Sequence, residues 1–140
     1  MRANDVTRFD LDGMVALVTG GSGMIGRAVA QRMAAGGARL ALADLGVPET
    51  VGGDSRGYAA DLADAGHVRT LFDAVLADYG RLDCLVTAAG VTSLGSFEAI
   101  TLEEWDRVHS INLRGIFLAN QAAIAPMKAQ GFGRIVNIGS

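Results

Sequence analysis

The sequence holds few of the residues that would tie it to a metal, a membrane, a nucleic acid or an oxidising compartment. Its one cysteine, Cys84, rules out a disulfide framework within the chain. Its two histidines, His67 and His109, have no nearby ligand partners in sequence, so no metal-ligand spacing exists. Cys84 lies in the apolar run Cys84-Leu85-Val86 and reads as a packed strand thiol. A net charge of −3, with Lys128 the only lysine, argues against a nucleic-acid surface and leaves no basic membrane footprint. No apolar run approaches the roughly 20 residues of a membrane span. The opening MRANDVTRFDLDG lacks the apolar core of a secretory signal and reads as a short polar lead-in, residues 1–12. These absences point to a reducing, cytoplasmic setting. Aromatic residues are scarce too, at 6%. Trp105 and the phenylalanines at helical spacing are expected to be core anchors rather than a binding platform.

What the chain has in quantity is apolar residues, 50% of the total, and glycine, 19 of 140. Such a chain forms one domain, here residues 13–140, with a real core. The stretch Val15–Gly26, VALVTGGSGMIG, organises it. Val15–Val18 reads as a strand buried on both faces. Glycines then stand at 20, 21, 23 and 26, before an amphipathic stretch. Gly21, Gly23 and Gly26 satisfy G-x-G-x-x-G between a strand and a helix start. Bare glycines let a diphosphate approach the main-chain N–H groups and the positive end of the following helix. Alone, such a turn is also a plain tight connection; the strand, the helix and a later acid give it meaning.

Ile25, Val29 and Met33 mark the inner face of the first helix, which Gly36-Gly37 ends. Arg39–Ala43 reads as the second strand with Asp44 at its end; 46–57 is a loop with room for one helical turn. Gly57–Ala60 is a weak third strand ending at Asp61. Val68–Tyr79 is a helix closed by Gly80, and Asp83–Ala88 a fourth strand running into Ala89-Gly90. One long helix is expected over about Leu102–Met127, with Thr101 and Glu104 as a capping box and Pro126 near its end. Gly131–Gly133 turns the chain into a fifth strand, Arg134–Ile138. This alternation predicts an α/β fold, a doubly wound parallel sheet of about five strands whose ligands bind beyond the strands' carboxyl ends.

Asp44 lies eighteen residues past Gly26, near the spacing of about 20 for an acid that binds an adenosine ribose. Its carboxylate can accept from both ribose hydroxyls and would repel a 2′-phosphate, and Leu45 offers no compensating cation, so NAD is favoured over NADP. Asp61, at another strand end, suits an adenine amino group or equally a helix cap. Asn112 falls on a helical stripe with Trp105, Val108, Gly115 and Ala119, taken as mainly buried positions. An unpaired amide there would cost about 1–3 kcal/mol, so backbone, water or a catalytic group should pair with it. His67 and His109 read as solvated or locally hydrogen-bonded, and Arg134 as a solvent-facing strand start.

With these residues in view, the chain resembles the short-chain dehydrogenase/reductase family over nearly its whole length. The matching landmarks are Phe9–Gly21, Asp44, Asp61-Leu62, Thr87–Gly90, Ile111–Gly115 and Gly133–Ser140. The resemblance implies a Rossmann-type domain whose relatives transfer a hydride between an alcohol or carbonyl substrate and a nicotinamide cofactor. It places Gly20, Ser22, Gly23, Met24, Ile25 and Gly26 at the diphosphate, Asp44 and Leu45 at the ribose, and Asp61 and Leu62 at the adenine. Ala88, Ala89 and Gly90 line the floor near the nicotinamide ribose. Asn112 matches an asparagine holding a water of a proton relay, and Ser140 a serine that bonds the reacting oxygen. Relatives are commonly homo-oligomers.

Three departures stand out. Met24 replaces a small residue, giving the Thr19-Gly20-x-x-Gly23-x-x-Gly26 form and bearing on how closely the helix approaches a cofactor. Thr87 and Ala88 replace the usual asparagines before Ala-Gly; threonine can still brace the sheet, alanine cannot. Relatives also need a tyrosine with a lysine four residues on, to bring a group titrating near 10 into useful range. Here Tyr58 and Tyr79 are followed at that distance by Leu62 and Asp83, so no Tyr-x-x-x-Lys occurs. The expectation is the N-terminal half of an NAD-dependent oxidoreductase, inactive by itself, with the acid/base pair beyond Ser140. The alternative is a catalytically silent dinucleotide-binding or interaction module.

Overall fold

The computed structural model describes residues 10–139. Ser140 and residues 1–9 of the lead-in lie outside the described residues. The elements in chain order are β1 (Val15–Thr19), α1 (Met24–Ala35), β2 (Arg39–Asp44), β3 (Ser55–Ala59), α2 (Ala65–Tyr79) and β4 (Cys84–Thr87). A short 3-10 turn (Phe97–Ala99) precedes α3 (Leu102–His109), a π-helical segment (Ser110–Gly115), α4 (Ile116–Gln130) and β5 (Arg134–Asn137). The expected loop after β2 contains no helical turn.

The strands form one sheet in the order β3-β2-β1-β4-β5, every neighbouring pair parallel. A strand's side chains alternate between faces, so a central strand must be apolar throughout. β1 meets that condition over Val15–Val18, and all five of its residues, the polar Thr19 included, are fully buried. Val15 and Leu17 pack with α2 and α4 residues such as Phe72, Val75, Ala119 and Ala123. Ala16 and Val18 face the other way, with Ala30 of α1, Leu40, Leu42 and Val86. Leu11 joins this second layer, and its N–H bonds the Gly36 carbonyl at 2.8 Å, so the end of the lead-in is packed rather than merely polar.

One expected element divides. Leu102–Met127 is not a uniform helix: the π-helical segment interrupts it, and α4 runs on to Gln130 with Pro126 inside. Each π turn takes an extra residue and rotates the apolar face. α3 therefore buries nothing, while α4 buries Ala119, Ala123 and Met127. Trp105 is accordingly no core anchor: it is 52% exposed and stacks on His109, whose Nδ1 lies 2.9 Å from the Trp105 carbonyl oxygen. Phe97 and Phe117 are exposed as well, and among the described phenylalanines only Phe72 is buried as a core anchor. The capping box is half formed. The Glu104 N–H donates to Thr101 Oγ1, but the Glu104 carboxylate turns to Arg107.

Candidate functional site: a cleft beyond the carboxyl ends of the strands

β1 pairs with β2 on one side and β4 on the other, so successive connections leave it in opposite directions. The loops after β1 and β4 diverge there, which opens a crevice. Gly20 makes the first loop possible. Its φ of +70° is left-handed, and a Cβ would lie 2.6 Å from the Ala89 nitrogen and 2.7 Å from the Ala88 carbonyl. A Cβ on Gly26 would strike the Gly20 carbonyl oxygen, so only glycine lets α1 start this close to the turn.

α1 begins after Gly23 with no side-chain cap and no acid in its first turn. By contrast, Asp64 caps α2 and Thr101 caps α3. The first N–H groups of α1 thus keep their affinity for an external anion. Asp44 stands at the end of β2. The Ser22 N–H donates to its Oδ2 at 3.0 Å and the Leu45 N–H to its Oδ1 at 2.9 Å, which fixes the carboxylate while each oxygen keeps acceptor capacity.

A cleft of about 140 Å³ runs along these groups. It brings together Gly20, Gly23, Asp44, Leu45, Asp61, Leu62, Ala88, Ala89 and Gly90 of the residues expected from sequence. Ser22, Met24, Ile25, Gly26 and Asn112 do not line it. Ser22 acts through its backbone bond to Asp44, Gly26 through its contact with Gly20, and Met24, 88% exposed, projects into solvent beside Ile25. The charged residues among the lining groups are Asp44 and Asp61, both acids. Asp61 Oδ1 accepts from the Ala63 N–H at 2.9 Å, holding the entry to α2, while the cap itself is Asp64.

Sequence reasoning missed Ala60, Val91 and Ile111, which also line the cleft. Val91 follows Gly90 directly and Ile111 precedes Asn112, so adjacency to predicted residues was the available signal. Asn112 lies in the π-helical segment and pairs with backbone. Its Oδ1 accepts from the Val91 N–H at 2.8 Å and its Nδ2 donates to the Val91 carbonyl at 2.7 Å. Thr87 braces the sheet, donating from Oγ1 to Asn137 Oδ1 at 2.8 Å.

Neither tyrosine lines the cleft. Burial and its bond to Asp78 push the Tyr58 phenol well above the ordinary tyrosine range. Burial, followed by the nearby charge of Asp54, also raises Tyr79, whose hydroxyl donates to the Leu40 carbonyl. Both shifts run opposite to what a neutral-pH acid/base needs. Cys84 is half-buried, and burial followed by the Asp83 charge raises its thiol. Among the described residues, no group of three or more histidines, cysteines or acids could hold a metal ion, and no helix is long and apolar enough to cross a membrane.

The short chain dehydrogenase family model matches residues 14–140. The chain belongs to the short-chain dehydrogenase/reductase family, and its five-stranded parallel sheet is that family's Rossmann-like α/β fold. It is 45% identical over 141 residues to the D-threitol dehydrogenase of Mycolicibacterium smegmatis, covering 94% of this chain and 54% of that protein. It is 38% identical over 140 residues to elsinochrome reductase 1 of Elsinoe fawcettii, covering 93% and 52%. A solved double variant of a Serratia marcescens short-chain dehydrogenase/reductase superposes with a TM-score of 0.79 at 38% identity, covering 94% of this chain and 59% of that one. The chain spans about half the length of the curated relatives it matches.

Proposed function

We propose that residues 13–140 are the nucleotide-binding part of an NAD-dependent alcohol/carbonyl oxidoreductase, working in the cytoplasm on a small-molecule substrate. The whole protein would be a homo-oligomer. The observation that carries this reading is the Asp44 carboxylate, held by two main-chain N–H groups in the cleft beside the glycine turn from which the uncapped α1 starts. That donor set fits a dinucleotide: bare amides and a helix dipole for the diphosphate, a fixed acid for ribose hydroxyls. The bound nicotinamide would supply a hydride acceptor or donor.

The residues of this chain divide the remaining work. Gly20 and Gly23 keep the loop bare, and Ser22, Met24, Ile25 and Gly26 contribute the main chain around the diphosphate. Asp44 and Leu45 bind the adenosine ribose, and Asp61 and Leu62 wall the adenine. Ala88, Ala89 and Gly90 form the floor under the nicotinamide ribose. Asn112 holds that floor through Val91 and supports a proton relay, while Ser140 orients the reacting oxygen.

The 140 residues contain no Tyr-x-x-x-Lys, and Tyr58 and Tyr79 are engaged elsewhere. This chain alone is therefore expected to bind NAD without turning it over; robust NAD-dependent turnover by the purified 140-residue chain would overturn that expectation. The same observation favours a second reading, a silent dinucleotide-binding module, which predicts an in-frame stop with no Tyr-x-x-x-Lys downstream in the gene. Asp44→Ala is expected to weaken NAD binding by about tenfold and to relax discrimination against NADP, the scale of one lost charged hydrogen-bond acceptor. Calorimetric titration with both nucleotides checks this. An unchanged NAD/NADP ratio would remove Asp44 as the ribose-binding acid.

A further inference from the structure

Gly115 is the last residue of the π-helical segment, and its own conformation gives no reason for glycine. Its φ of −61° and ψ of −42° are ordinary right-handed helix, open to any L-residue. Alanine there would favour the helix by about 1 kcal/mol. What glycine permits is contact. A Cβ at 115 would lie 3.2 Å from the Leu62 carbonyl oxygen and 3.3 Å from the Leu62 Cβ, closer than packed atoms normally sit. Both residues are buried, and Leu62 lines the cleft. Three residues earlier in the same segment, Asn112 grips the Val91 backbone.

We propose that Gly115 is a positioning residue for the nucleotide: by seating the helix directly on the Leu62 backbone it sets the height of the adenine-side wall. This rests on the dinucleotide reading above. The consequence is selective. A side chain at 115 displaces Leu62 and its neighbour Asp61 by a few tenths of an ångström, while the Gly20–Gly23 loop keeps its contact with Gly26 and the two Asn112–Val91 hydrogen bonds hold the Ala88–Gly90 floor in place. A loss confined to the adenine half follows.

The test uses the 140-residue chain, titrated with AMP and with nicotinamide mononucleotide and followed by NMR chemical shifts. Gly115→Ala is expected to weaken AMP binding about fivefold or more and to leave nicotinamide mononucleotide binding nearly unchanged. Equal losses for both ligands would mean general loosening, and no loss for either would mean that Leu62 yields freely; each result overturns the proposal. If wild-type chain binds neither ligand, the dinucleotide reading itself fails. Should Gly115→Ala not fold, AMP titration of the wild-type chain takes its place. The Gly115 amide should then shift together with that of Leu62, and a Gly115 resonance indifferent to saturating AMP overturns the proposal.

Discussion

Asp83 is an acid placed at the root of the sheet, 1% exposed and fully engaged. It accepts from the Val15 N–H at 2.9 Å, from Arg81 Nε at 2.8 Å and Nη2 at 2.6 Å, and from Gln130 Nε2 at 3.3 Å. Burial by itself would raise its pKa; the Arg81 bonds and the Val15 amide outweigh burial and hold it below the usual value. A carboxyl depressed by folding stabilises the folded state above its unfolded pKa of about 3.9, and that contribution is lost as the pH falls toward the lower folded value. Asp83→Asn is expected to cost about 1–3 kcal/mol at neutral pH, because the buried Val15 N–H and the Arg81 guanidinium lose a charged acceptor. It should also flatten the fall in stability on acidification below about pH 4, which exposed acids such as Asp64 and Asp78, likewise depressed, only partly maintain. Urea unfolding across that range measures both effects; identical acid slopes for the two proteins would count against the assignment.

At the scale of elements, the π-helical segment gathers several cleft contacts into six residues. Ile111 lines the cleft, Asn112 clamps the loop after β4, and Gly115 meets Leu62. A regular helix would turn one of these residues away, since inserting a π turn changes the angular register of all that follows. Asn112→Ala deprives the Val91 N–H and carbonyl of their partners, and the loop is expected to open. Hydrogen exchange at the Val91 amide should rise about tenfold or more, corresponding to loss of about 1.4 kcal/mol of local stability, with the β1 amides still protected. Exchange at Val91 equal to wild type would show that the clamp bears no load.

At the scale of the molecule, the two edges of the sheet differ. β3 carries the edge polar residues Ser55 and Arg56, whereas β5 presents Ile135 and Val136 to opposite faces, both exposed. The neighbouring groove is lined by Ile124, Met127 and Ile135. An exposed apolar edge strand invites pairing with another chain. The 140-residue chain is expected to self-associate as its concentration rises, and Val136→Lys to suppress this by placing a charge on the edge. Sedimentation velocity distinguishes the outcomes; a sharp monomeric boundary for wild type at high concentration would contradict the prediction.

Local chemistry made the parallel fold and the Gly20–Gly26 turn legible in the sequence. Strands buried on both faces must be apolar nearly throughout, and glycines between a strand and a helix mark a turn whose left-handed φ and close contacts other residues resist. The same logic located Asp44, because a fixed number of residues separates the first turn from the end of the second strand. The break in the Leu102–Met127 helix, the exposure of Trp105 and the attachment of Asn112 to Val91 were decided elsewhere. A π turn shifts the apolar register by a single residue, too small a step to read from spacing in a stretch with apolar residues on several faces; here it goes with contacts of Asn112 to Val91 and Gly115 to Leu62, both distant in the chain. Sequence sets which groups can bond, and only the packed sheet and helices set which of them come within reach.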